Sequence, residues 1–481
     1  MKKYHLITFG CQANRADSER ISSVLEKAGV KPSPARSKAD IIIFNTCSVR
    51  QKAEDRVFGF RKEAEKIRAK SKNVKFVLTG CMMHYEPKEL KARLPFIDVF
   101  IDIKEITKLP KLLGLPKIPL KKKEREDYLS IAPKYSSSFS AGIPISYGCN
   151  NFCTYCIVPY SRKREYSRPV EDIYNEAKKL IEAGCKEIWL LGQNVNSYKG
   201  EIRLKKPEPP SETLGLPARP TTVGRLGGAV GSSNNIKIEA RVEEGGSGRH
   251  FKHYICNFPC LLRLINSIPG DFWIRFTSPH PKDFSDELIK AMTECEKFAH
   301  YINLPLQSGD NTILKKMNRP YTVGHYKKLV KKIRRAIPDI AISTDIIVGF
   351  PGETKRQFEN TAKVMEEIGF DMAYISEYSP RPGTAAAKTM EDNVPHREKE
   401  CRKKILNSIL MKSALKNNKK LVGKIERVLV DGKKDGRWFG RNAGNKVVEI
   451  EAKGKKIRLG EFIDVKITKA EVWKLKGKTI K

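Results

Sequence analysis

Cys149, Cys153 and Cys156 lie in the run Cys149-Asn150-Asn151-Phe152-Cys153-Thr154-Tyr155-Cys156. One regular helix, with about 3.6 residues per turn, cannot aim all three sulfurs at a single point; a loop can. Soft thiolates suit zinc or an iron–sulfur cluster. A structural zinc needs a fourth ligand. Outside this run, no Cys or His falls between His84 and Cys185. A cubane held by three Cys leaves one iron open for a cofactor, and S-adenosylmethionine is the usual partner of such an iron in radical chemistry. On spacing alone, zinc and simply buried thiols remain alternatives. The run follows a strand read at Ile143–Ser146 and a turn at Gly148, which puts it on a loop at a strand's C-terminal end.

A second set of thiols is spread along the first part of the chain. Tyr4–Phe9, Asp40–Asn45 and Val74–Thr79 read as strands, separated by helices at Asn14–Ala28 and Gln51–Ala69. Short apolar strands alternating with helices mean a parallel sheet covered on both faces. Cys11, Cys47 and Cys81 each follow one of these strands, so a parallel sheet brings all three to the same edge, where ligand sites form. Three unrelated small apolar residues are the plain alternative, since free Cys is commonly buried.

The chain has 481 residues, enough for two or three domains. Its 92 Lys and Arg against 55 Asp and Glu give a net charge of +37, which favours a polyanionic partner such as nucleic acid or an acidic membrane surface. No apolar run approaches the roughly 20 residues that span a bilayer. The start, Met1-Lys2-Lys3-Tyr4-His5, leads into a strand and carries no export-type apolar segment. The 11 cysteines are odd in number, which favours reduced thiols and metal over disulfides and a cytoplasmic setting.

Residues 102–139 are rich in Lys, Pro and Ser and read as a linker. Strand and helix then alternate again over residues 140–395, with strands at Ile143–Ser146, Glu187–Leu191, Phe272–Thr277, Tyr301–Leu304, Ala341–Val348 and Met372–Ser376. Such a pattern forms an open sheet or a partial barrel. Polar residues at the strand ends, among them Gln193, Asn194, Asn196, His280, Gln307 and Asp345, outline a cup facing the cysteine loop, although each alone is an ordinary turn residue. Residues 200–250 lack any sustained period, are rich in Gly, Pro and Ser, and read as disordered. Cys185, Cys256, Cys260, Cys295 and Cys401 read as packing or surface thiols. A basic helix follows at 396–420. Residues 421–481 alternate apolar and polar positions in strands at Lys424–Val430, Lys446–Glu451, Lys455–Leu459 and Ile463–Ile467, a small all-β barrel with Trp438-Phe439-Gly440-Arg441 on a loop. A basic barrel with exposed aromatics fits single-stranded or looped RNA; aromatics that plug the barrel's own core are the alternative.

The cysteine loop, followed by Ile157-Val158-Pro159-Tyr160-Ser161-Arg162 and Glu165-Tyr166-Ser167-Arg168-Pro169, resembles the radical S-adenosylmethionine methylthiotransferases. Phe9-Gly10-Cys11, Asn45-Thr46-Cys47 and Thr79-Gly80-Cys81 resemble the N-terminal domain of that family, and residues 421–481 resemble the TRAM domain of tRNA-modifying enzymes. The likeness runs over nearly the whole chain, apart from residues 200–250. It implies an α/β fold: a parallel-sheet N-terminal domain (1–101), a partial (β/α)6 radical-SAM barrel and a TRAM-like barrel. It implies two 4Fe–4S clusters, one on Cys149, Cys153 and Cys156 and an auxiliary one on Cys11, Cys47 and Cys81, together with S-adenosylmethionine. Tyr155, Gln193, Asn196, Gln307 and Asp345 become cofactor-binding candidates, with no catalytic residue beyond the cluster ligands. The implied reaction adds a methylthio group to carbon 2 of N6-isopentenyladenosine at position 37, in the anticodon stem-loop of tRNA. An electron donor such as flavodoxin or ferredoxin and a sulfur source are implied partners; a membrane is not. Relatives acting on threonylcarbamoyladenosine or on a ribosomal-protein aspartate give a second reading, and a zinc-containing, non-catalytic RNA-binding protein a third.

Overall fold

The computed structural model describes residues 1–49, 51–202, 239–244, 250–452, 454 and 456–480. The N-terminal sheet is parallel throughout, in the order Lys31–Pro32, Lys3–Phe9, Ile41–Thr46, Lys75–Gly80, Val99–Phe100. This is the doubly wound order 2-1-3-4-5, whose switch point lies between the first and third strands. Strand alternation sends Ile41 and Ile43 into one apolar layer and Ile42 and Phe44 into the other. The charged stretch after Cys47 forms two helices, Gln51–Phe58 and Arg61–Lys70, broken at Gly59-Phe60, where one was expected.

The segment read as a linker is structured. Ile103, Ile106, Leu109, Leu113, Tyr128, Leu129 and Ile131 are buried in the core of the N-terminal domain. Its lysines face solvent and mask an apolar stripe at helical spacing.

The central domain is built as expected. Two three-stranded parallel sheets, Ser140–Pro144 with Glu187–Leu191 and Trp273–Phe276, and Tyr301–Asn303 with Ala341–Val348 and Met372–Glu377, are joined by a parallel bridge between Ile274 and Phe298. Six strands curve around one apolar core. Residues 200–250 depart in part from the expected disorder: Lys199–Ile202, Glu239–Glu244 and His250–Asn257 pair as an antiparallel sheet. The rest of that stretch, 203–238 and 245–249, lies outside the described residues. Cys256 and Cys260 are bonded to each other as a disulfide rather than free. Both are fully buried where the last of these strands meets the helix Phe258–Asn266, and a Cys pair at that strand–helix junction gives no metal-like spacing to flag it.

Helix His396–Lys419 runs across the central domain and buries Arg402, Leu406, Leu410 and Ala414 at helical spacing. The C-terminal strands Ile425–Lys434, Arg437–Asn442, Val447–Glu451, Leu475–Thr479 and Phe462–Ala470 close, in that spatial order, into a barrel. Arg437–Asn442 is a strand where a loop was expected; of the strand expected at Lys455–Leu459, the described residues 456–459 form none. Asp431-Gly432 is a bulge inside a strand; the turn comes at Asp435-Gly436. Trp438 packs partly onto the barrel core and under Lys433.

One guanidinium fastens this barrel to the central domain. Arg275, fully buried, donates to Glu187 at 2.7 Å, to the Ala443 carbonyl at 2.7 Å and to the Asn442 carbonyl at 2.9 Å. It is sandwiched between Trp189 and Trp273. Lys446 adds an ion pair with Asp371 at 2.6 Å. Glu187 and Ala341 begin their strands, so the turn at residues 442–446 closes the N-terminal mouth of the partial barrel and leaves the C-terminal mouth free. Arg275→Met strands Glu187 as a buried, unpaired charge at a cost of about 3–5 kcal/mol. Thermal unfolding is expected to start several degrees lower, and limited proteolysis to cut faster near residues 420–425.

Candidate active site

At the C-terminal mouth, the loop of Cys149, Cys153 and Cys156 is held in place by backbone contacts. Gly148 has φ +81°, and a Cβ there would lie 2.2 Å from the Arg164 carbonyl oxygen, so glycine is needed for the chain to turn this tightly. The Thr154 N–H donates to the Met317 carbonyl and its own carbonyl accepts from Ala386, while Asn318 donates to the Phe152 carbonyl at 2.8 Å. The three sulfurs lie within electrostatic reach of one another. Burial raises the Cys149 thiol, and burial together with Cys153 pushes Cys156 up to about 12. The free Cys149 and Cys156 thiols would stay protonated here, and a bound cation would draw out their protons.

Arg319 answers that need in part. It is almost fully buried, donates to Cys153 Sγ at 3.4 Å and to the Tyr321 hydroxyl at 3.0 Å, and lies over the Tyr321 ring. Tyr155 packs edge-on to Phe350 at 6.5 Å between the cysteine loop and the strand-end loops.

The three thiols of the N-terminal sheet do come together. Cys11 is the N-cap of helix Gln12–Lys27, a place that favours an anion. Asn14 on that helix bonds Asn45 at the end of the neighbouring strand, and Asn45 returns a bond to the Asn14 carbonyl at 2.7 Å. Gly80 precedes Cys81 with φ +94°, and a Cβ would lie 2.5 Å from the Thr46 carbonyl oxygen. Only glycine lets the third strand's end close on the second, which seats Cys81 against Cys47. Contact with Cys81 and burial raise the Cys47 thiol; contact with Cys47 and the nearby Arg162 lower Cys81. Arg162 donates to Cys81 Sγ at 3.4 Å and to Asp17 at 2.6 Å. It caps the short helix Val158–Ser161 that follows Cys156, and this helix packs on the turn Cys81–His84, so the two trios lie on adjoining segments.

The polar cup contains polar atoms with no partner among the described residues: the acceptors Gln193 Oε1 and Asn194 Oδ1, the Ser146 hydroxyl, and His280 Nε2, which is the ring's N–H donor because Nδ1 accepts from the Lys282 N–H at 3.2 Å. Burial, with Arg319 and Lys282 nearby, lowers His280 to about 2, so its ring is neutral. Buried polar atoms without partners are rare, and a polar cofactor could satisfy these. Asn196 is already engaged: it accepts from the His280 N–H at 2.7 Å and donates to its carbonyl at 3.0 Å. Gln307 adopts φ +69°, and its N–H donates to the Asp345 carbonyl at 2.8 Å. Asp345 accepts from Asn303 at 2.8 Å. Reading the sequence missed Arg162, Arg319 and Asp17. Nothing separates two buried arginines from 92 basic residues until the fold packs them.

Among the described residues no group of three or more His, Cys, Asp or Glu is arranged to grip a single metal ion. The donor sets nevertheless fit iron–sulfur clusters: each has three soft sulfurs, two of them buried, and an N–H donor aimed at sulfur, Val49 on Cys47 at 3.3 Å and Asn151 on Cys149 at 3.4 Å.

Residues 3–102 match a model described as Uncharacterized protein family UPF0004, 143–216 and 252–365 the Radical SAM superfamily, and 419–480 the TRAM domain. Over the full chain, the protein is 39% identical to 97% of a tRNA-2-methylthio-N(6)-dimethylallyladenosine synthase from Clostridium novyi. It is 35% identical to the whole of one from Neisseria gonorrhoeae. The chain belongs to this family of radical SAM methylthiotransferases. A solved radical S-adenosylmethionine methyltransferase from Kitasatospora setae is similar at a TM-score of 0.49 and 13% identity, over 80% of this chain and 77% of that one. Anaerobic reconstitution with iron and sulfide is expected to load about eight irons per chain, and Cys47→Ser or Cys153→Ser to lower this to about four. Iron analysis and the visible absorption of the protein report it.

Proposed function

We propose that this protein is a tRNA methylthiotransferase that places a methylthio group on carbon 2 of N6-isopentenyladenosine at position 37. The observation that carries this reading is the pair of sulfur trios on adjoining segments. Their ligands are Cys149, Cys153 and Cys156 on one side and Cys11, Cys47 and Cys81 on the other, in a chain matched end to end by relatives named for that product. The working parts are residues 1–101, 140–395 and 421–481.

An aromatic C–H has no useful acidity, so no side-chain base can open it. The two clusters and S-adenosylmethionine, when bound, supply the radical, the sulfur and the methyl group. The protein's own residues position these groups and exclude water. Arg319 holds the Cys153 side of the first trio and the Asn151 N–H the Cys149 side. Gln193 and Asn194 offer acceptors, and the neutral His280 an Nε2–H donor, to the cofactor's polar groups, and Tyr155 with Phe350 forms an aromatic wall beside it. Arg162 and the Asn14–Asn45 bonds hold the second trio. The electron donor is of the flavodoxin or ferredoxin kind, a sulfur source replenishes the auxiliary site, and the reaction takes place in the cytoplasm. Among the described residues no helix is long and apolar enough to cross a membrane.

The names of the relatives support this product over the threonylcarbamoyladenosine and ribosomal-protein readings and over a zinc protein. Nucleoside mass spectrometry of tRNA from a deletion strain is expected to show loss of the methylthio group from isopentenyladenosine; an unchanged level would sink the reading. Cys153→Ala is expected to abolish cleavage of S-adenosylmethionine while changing RNA affinity less than twofold. Basic residues grip phosphates by releasing counterions, so tRNA affinity is expected to fall at least tenfold between about 50 and 200 mM salt. Filter binding across that series measures it.

A further inference from the structure

Arg162 links the segment that follows Cys156 to the turn that carries Cys81. Its side chain is 5% exposed and that of Asp17 is 2% exposed. Nε donates to Cys81 Sγ at 3.4 Å, Nη2 donates to Asp17 Oδ2 at 2.6 Å, and the guanidinium lies over the Tyr147 ring at 5.2 Å. The other Asp17 oxygen accepts from the Tyr128 hydroxyl at 3.2 Å. Among the described residues it is the only cation hydrogen-bonded to a sulfur of the Cys11, Cys47 and Cys81 trio. It is also borne on the short segment that carries Cys156. The chain that shapes one trio therefore places a fixed positive charge on the other.

We propose that Arg162, oriented by Asp17, is a positioning residue that sets the reduction potential of the group held by Cys11, Cys47 and Cys81 and fixes its register against the first trio. This rests on the reading that this trio binds an iron–sulfur cluster. A reduced cluster carries one more negative charge than an oxidised one, and a buried cation against its sulfur stabilises that state most strongly in low dielectric. Asp17 offsets part of the charge. Removing the cation and removing the carboxylate must therefore shift the potential in opposite directions. Lysine keeps the charge but cannot serve sulfur and carboxylate through one planar fork, so it should restore only part of the effect.

The test uses the full-length chain with Cys149, Cys153 and Cys156 all changed to Ala, reconstituted anaerobically with iron and sulfide. A redox titration followed by electron paramagnetic resonance then reads the remaining cluster. Arg162→Met is expected to lower the potential enough to cut the reduced-to-oxidised ratio at least tenfold, which is about 59 mV for one electron. Asp17→Asn should raise the potential, and Arg162→Lys should fall between Arg162→Met and the unsubstituted residue. Full iron with an unmoved potential in both Arg162→Met and Asp17→Asn overturns this proposal alone. No iron in the parent triple variant overturns the ligand assignment as well. Should Arg162→Met not fold, Asp17→Asn decides: an upward shift supports the proposal and no shift refutes it.

Discussion

Six sulfur atoms collected at one mouth of a barrel create an electrostatic difficulty before they create an active site. Thiolates resist burial, and close neighbours of like charge resist it more. The chain meets this with two buried guanidiniums, Arg319 on Cys153 and Arg162 on Cys81. Each is steadied by an aromatic ring, Tyr321 and Tyr147. Their placement depends on the rest of the fold. Arg162 reaches Cys81 only because the N-terminal sheet stands with its strand ends toward the central barrel, and helix Gln12–Lys27 packs on the strand Ser140–Pro144 to keep it there.

The opposite mouth of the barrel is closed by another buried arginine. Arg275 ties the first strands of the central domain to the turn at residues 442–446. The C-terminal TRAM barrel is thereby anchored to the end of the domain opposite the Cys149–Cys156 loop. Chemistry and anchoring are separated along one axis, so loops at the reactive mouth vary without disturbing the C-terminal attachment, as the βα loops of barrels commonly do.

Much of this was legible in the chain. Strand–helix alternation placed the three inner strands of the N-terminal sheet and all six central strands within a few residues, because their apolar runs stand out; the edge strands Lys31–Pro32 and Val99–Phe100, two residues each, are too short to show a pattern. The Lys- and Ser-rich stretch 102–139 misled because composition averages over faces: Ile103, Ile106 and Leu109 point inward while lysines between them point out. The strand Arg437–Asn442 was read as a loop because its small and polar residues alternate weakly. It forms because the neighbouring strands Ile425–Lys434 and Val447–Glu451 pair with it.

By itself, the sequence marked the six cysteines proposed here as ligands. Spacing within the Cys149–Cys156 loop and the position of Cys11, Cys47 and Cys81 just past three strands are local features, and a parallel sheet turns them into one edge. The tertiary structure alone decided which charges serve those sulfurs. Asp17 and Arg162, or Arg319 and Cys153, are far apart along the chain, and a long basic side chain carries no local mark of burial. Its partner is set only when distant elements pack, since the cost of desolvating it is met there and nowhere else.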